Sequence, residues 1–211
     1  MEKVLVFCAH NDDNVLGAGG TLTKYAKEGV IVKTYFMSYG ETSPPHLKPE
    51  IVRDIRTKES LKADKIMKGS GVIYFGIQES KFNAHMKELK IQEKVQQIIK
   101  KEKPSKVFTH SPNDPHPNHK ATYKAVYAAA KNLKQALYCF EVWTPFRIRN
   151  RFTPKLVVDI SSTFSTMIKA LKEHKSQNVV LIQLIPATYI RAKWHGLAHG
   201  FRFAEVFDKV L

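Results

Sequence analysis

Two stretches of this 211-residue chain concentrate side chains that bind metals or move protons. The first, VLVFCAHNDDNVLGAGG from Val4 to Gly20, opens with an apolar run that reads as a short buried strand and continues into His10, Asn11, Asp12, Asp13 and Asn14. The second, HSPNDPHPNH from His110 to His119, follows another apolar run and leads into a helical pattern. In open α/β sheets, ligands bind beyond the carboxyl ends of strands, where both stretches fall. His10-x-x-Asp13 and His116-x-x-His119 space their donors three apart, so each pair can aim at one point from a helical turn. Three protein ligands of mixed nitrogen and oxygen type leave one position open, the arrangement of catalytic zinc, although iron and manganese suit the same donors. Adjacent acids then divide the labour, Asp13 binding metal while Asp12 faces the water. Pro117 suits the first turn of a helix, whose dipole helps keep His119 a neutral ligand.

Singly, each stretch has an ordinary reading. Asn11 to Asn14 can cap a helix, and His116 and His119 can be loop histidines. The argument for a site is their conjunction, since both follow a strand and open a helix. His110 reads as a strand end rather than a ligand, His46 and His85 as surface residues, and His174, His195 and His199 as structural.

These stretches must be positioned by alternating strands and helices, the pattern of a mainly parallel sheet covered on both faces. Strands are expected after Val4, over Val30–Met37, Val72–Phe75, Lys106–Thr109, Ala136–Val142, Lys155–Ile160 and Phe201–Phe207. Helices are expected over Thr21–Glu28, Glu50–Met67, Lys87–Lys103, Lys120–Leu133, Thr163–His174 and Ala187–Ala198. No repeat or linker divides the chain, so residues 1–211 read as one domain.

The composition, 43% hydrophobic and 25% charged, is that of a soluble globular protein. Cys8 and Cys139 lie in apolar runs and read as buried thiols, which fits a cytoplasmic address, as does an amino terminus without signal-peptide architecture. No run is long enough to suggest a membrane span. The net charge of +15 is spread along the chain and favours a solvated basic surface. An anionic small molecule is the next choice and nucleic acid the least favoured partner. Phe146, Arg147, Arg149, Arg151 and Phe152 form the one aromatic and basic cluster, read as a loop over the site mouth or a subunit contact, which leaves a homo-oligomer open.

The chain resembles the PIG-L (LmbE-like) zinc-dependent N-deacetylase family. The family's A-H-P-D-D-E reads here Ala9, His10, Asn11, Asp12, Asp13, Asn14, and its H-P-D-H reads His116, Pro117, Asn118, His119. Gly19-Gly20, Gly40-Glu41, Arg56-x-x-Glu59, His174-Lys175-Ser176-Gln177 and Ala204-Glu205-x-Phe207 match further motifs in family order. The resemblance implies a doubly wound, Rossmann-like sheet and removal of an acetyl group from an N-acetylglucosamine-type substrate. It implies zinc on His10, Asp13 and His119, with Asp12 as general base. His116 would stabilise or protonate the reacting group, and Arg56 would hold the substrate. Asn11, Asn14 and Asn118 depart from the family pattern, the latter two removing a negative charge each, for which Asp114 beside His116 is the expected compensation. The alternatives are a metal-dependent hydrolase of another, anionic substrate and a basic nucleic-acid-binding protein with a dormant site.

Overall fold

The computed structural model describes residues 1–143 and 154–211; the cluster from Phe146 to Phe152 lies outside them. Strand β1 (Lys3–Cys8) is buried on both sides, Val4, Val6 and Cys8 packing into one core and Leu5, Phe7 and Ala9 into the other. That period of two is what a strand between two helical layers requires. Around it lie β2 (Ile31–Ser38), β3 (Val72–Ile77), β4 (Lys106–His110), β5 (Leu137–Phe140), β6 (Lys155–Asp159) and β7 (Ala204–Lys209). The seven strands are ordered β3-β2-β1-β4-β5-β7-β6. The first five are parallel, whereas β7 runs antiparallel to both β5 and β6. The chain thus winds outward from β1 in one direction and from β4 in the other, and the crevice between their carboxyl ends is the switch point of a doubly wound sheet.

Helices α1 (Asp13–Lys27), α2 (Pro49–Met67), α6 (Phe164–Leu171) and α7 (Asn178–Ala198) cover one face. The other carries α3 (Phe82–Glu88), α4 (Ile91–Glu102) and α5 (Pro117–Asn132). No helix among the described residues is long and apolar enough to cross a membrane. Both cysteines are buried.

Three helices differ from their sequence-based expectations. Helix α1 starts at Asp13, eight residues before Thr21, because the small side chains of its first turns let it lie close against the sheet. A Cβ at Gly17 would strike the Phe140 ring. The expected helix Lys87–Lys103 is broken at Lys90, which takes a left-handed conformation (φ 49°). Leu89 and Ile91, two apart, cannot share a helical face, so the stripe of α4 begins afresh with Ile91, Val95 and Ile99. Helix α7 starts at Asn178 and carries Pro186 in its interior. Pro186 and Ile182 are both on the exposed side, where water can reach the carbonyl that a proline leaves without a donor.

Candidate metal centre

Strand β1 delivers His10 one residue beyond Ala9, and the turn into α1 brings Asp13 back beneath it, so that the His10 N–H donates to Asp13 Oδ2 at 2.7 Å. Strand β4 is the parallel neighbour of β1, so the segment after it arrives at the same edge. There His116 caps α5, its Nδ1 accepting the Asn118 N–H at 3.2 Å, with Pro117 in the first turn. One turn on, His119 reaches back: its Nε2 lies 3.2 Å from Asp13 Oδ1 and 3.3 Å from His10 Nδ1. The two distant stretches therefore meet. His10, Asp13 and His119 place one donor atom each within 4.8 Å of one another, a group that could hold a metal ion.

The outward nitrogens of both rings stand against carboxylates. His119 Nδ1 lies 3.0 Å from Asp114 Oδ1, and His10 Nε2 is 2.9 Å from Glu79 Oε1. Such partners fix the ring orientation and raise ligand basicity in metal sites. Burial opposes charge on His10, yet Asp13 and Glu79 outweigh it and push its pKa up to about 10, so this corner calls for positive charge. Burial likewise opposes the Asp13 carboxylate, which His119, His110 and His10 together hold well below the usual range. A mixed nitrogen and oxygen donor set, backed by carboxylates and demanding a cation, fits a divalent ion.

Asp12 stands beside this group on the wall of a cleft that Arg56, Glu79, His116, Trp143 and Leu184 also line, with free space of about 590 Å³ including its mouth. Arg56 is buried, donates from Nε to Asn11 Oδ1 at 2.7 Å and from Nη1 to the Gly40 carbonyl at 2.9 Å, and pairs through Nη2 with Asp12 at 3.5 Å. Asn11 returns a bond from Nδ2 to the Arg56 carbonyl at 2.8 Å, so this departure from the family motif serves as a clamp on the arginine. Gly40 needs its positive φ of 64° and its missing Cβ, which would collide with the guanidinium. His116 stacks on His119 with centroids 4.6 Å apart; burial, then the charges of His10 and His119, draw its pKa down to about 4.

Five of the six expected site residues thus line one cleft, and the sixth, His119, lies buried against His10 and Asp13, but two expectations change. Asp114 does not face the His116 ring: its Oδ1 accepts the His116 backbone N–H at 3.0 Å and its Oδ2 that of Val142 at 3.2 Å, so it backs His119. His110 does end its strand, but its Nε2 accepts the Ala9 N–H at 3.0 Å and sits 3.2 Å from Asp13 Oδ2, within the centre itself. Together with Asp114 and His119 it forms a second group that could hold an ion. Glu79 was missed entirely. Its only signal is its place two residues beyond the end of β3, at the same sheet edge as His10. His174 is fully buried with neither ring nitrogen bonded among the described residues, and burial holds it near pKa 4. The remaining motifs are fasteners: Glu59 accepts both the N–H (2.8 Å) and O–H (2.6 Å) of Ser176, and Glu205 accepts the N–H groups of Gly20 and Thr21.

Comparison with known proteins gives four findings. The family model described as PIG-L, GlcNAc-PI de-N-acetylase, matches residues 5–130. The chain is 28% identical over 179 residues to the uncharacterized deacetylase YaiS of Escherichia coli (strain K12), covering 82% of this chain and 90% of that protein. It is also 26% identical over 194 residues to a probable N-acetyl-alpha-D-glucosaminyl L-malate deacetylase 2 of Bacillus cereus, covering 87% of each. Among solved structures, N,N'-diacetylchitobiose deacetylase from Pyrococcus horikoshii superimposes with a TM-score of 0.82 at 22% identity, over 99% of this chain and 84% of that one. At that identity the likeness shows the fold.

Proposed function

This chain belongs to the PIG-L family, and from that membership and the geometry of its cleft we propose that it is a metal-dependent N-deacetylase of N-acetylglucosamine-type sugars. The observation that carries this reading is the meeting of His10, Asp13 and His119 around one point with Asp12 beside it on the cleft wall.

His10, Asp13 and His119 would hold the ion, zinc in this reading, with iron or manganese as the alternatives. When bound, such an ion supplies Lewis acidity and brings the pKa of a water towards about 7. Asp12 takes the proton of the attacking water. Arg56 faces it at 3.5 Å, and Asn11 and Gly40 fix the guanidinium. His116 accepts a backbone N–H at Nδ1, so in its neutral form the proton is on Nε2, and this N–H is the donor to the oxygen on which charge develops. A neutral imidazole is a poor acid, so the proton that Asp12 collects is the one passed to the departing amine. Arg56, on the same wall, meets the sugar hydroxyls or an anionic part of the substrate.

The test combines elemental analysis with amine release from a panel of N-acetylated sugars. Asp12→Asn is expected to keep its metal and lose roughly 10²- to 10⁴-fold in turnover, the usual span for a general base. Deacetylation at the parental rate in that variant overturns the assignment of Asp12. A panel on which the metal-loaded parent releases no amine overturns the sugar substrate.

A further inference from the structure

Glu79 is a heavily engaged side chain at the site edge, outside the motifs that carry the family resemblance. Its Oε1 accepts from His10 Nε2 at 2.9 Å and from Asn118 Nδ2 at 2.6 Å, and its Oε2 accepts the Ser38 hydroxyl. Its own N–H is held by Glu41 Oε1 at 2.7 Å, which pins the backbone that presents it. The four partners come from the turn after β1, the end of β2, the turn following β2 and the start of α5. An ionised carboxylate only accepts, so Nε2 of His10 carries a proton, and a metal-binding His10 would present the lone pair of Nδ1 to the point that Asp13 and His119 share.

We propose that Glu79 is the positioning residue for His10, and that Asn118 completes the device by donating to the oxygen that holds the ring. An aspartate at 118, as in the H-P-D-H pattern, would set a carboxylate oxygen about as close to Glu79 as the present 2.6 Å. That substitution would replace a donor to Glu79 with an acceptor beside it. Asn118 instead donates to Glu79 and leaves its second oxygen for Ser38. The proposal rests on the reading of His10 as a metal ligand.

The experiment is zinc affinity by competition with a chromophoric chelator on the parent, Glu79→Gln, Asn118→Asp and the double variant. Each single variant is expected to bind zinc roughly 10- to 100-fold more weakly, the usual cost of losing such a partner. The double variant, with one acid restored to the pair, is expected to recover most of that loss. Singles that bind like the parent, or a double whose loss is the product of the two, overturn the proposal while leaving the metal triad standing. A parent that takes up no zinc overturns both. Independent of any variant, a ¹⁵N–¹H correlation spectrum of the zinc-loaded parent is expected to show His10 protonated at Nε2. Protonation at Nδ1 refutes the role of Glu79.

Discussion

Asp64 and Glu79 are two largely buried carboxylates at opposite ends of the same sheet, and their surroundings drive them in opposite directions. Asp64, near the end of α2 by the amino edge of β3, is pushed up to about 6 by burial, against which the N–H of Gly71 at 3.1 Å gives partial relief. Burial works on Glu79 in the same sense, but His10, Ser38 and Arg56 outweigh it and bring it down to about 2. Burial alone therefore does not mark a working acid. What separates the two is company: the amino edge offers one backbone donor, whereas the carboxyl edge gathers four histidines, an arginine and a set of acids into mutual contact.

That contrast can be attacked at both ends. The largest effect is expected from His119→Ala, which removes one of three donors. Metal measured per chain should fall to background while circular dichroism stays that of the parent. Full metal occupancy in that variant would dissolve the distinction between the edges. A smaller effect is expected from Asp114→Asn, which leaves all three donors but takes the carboxylate from His119 Nδ1. Zinc affinity should fall roughly 10- to 100-fold, read by chelator competition, and an unchanged affinity would show that Asp114 serves only the backbone N–H groups it accepts.

The smallest effect belongs to the other edge. The Asp64 pKa is raised on folding from 3.8 to about 6, so between those values the folded chain holds a proton that the unfolded chain has lost. Stability from this group is therefore present below about pH 4 and is lost as pH rises through about 6, a span worth about 3 kcal/mol at most. Asp64→Asn keeps an acceptor for Gly71 and has no charge to bury. Its melting temperature should exceed the parent's at pH 8 and converge with it near pH 4, with amine release unaltered. A loss of activity in this variant would join the two ends that the contrast separates.

Much of the site was legible because its signals are local. His10 and Asp13 lie within one strand-to-helix turn, as do His116 and His119, and the sequence around each shows the strand that ends and the helix that begins. Parallel pairing of β1 with β4 then brings the two turns together. What escaped depends on pairings that no single window contains. The role of His110 rests on an N–H of β1's end, 101 residues earlier, and Glu79 meets His10 across 69 residues from an unremarkable turn. Asp114 was visible, but the choice of which histidine it backs is set by the first turn of α5, which turns His116 towards the cleft and His119 inward. The same limit applies to the fold. A helix was expected over Lys87–Lys103 and α4 lies within it, but the break at Lys90 separates Leu89 from the face that Ile91 begins, and α7 starts at Asn178 rather than Ala187.

The placement of the donors on two strand ends more than a hundred residues apart has a consequence for the chain as a polymer. Any cation shared by His10 and His119 acts as a clasp across the middle of the sheet, closing a loop that holds half of the molecule. Loading such an ion would then add to the stability of the pairing of β1 with β4, so the cation would also be a structural fastener of the sheet whose edge it serves.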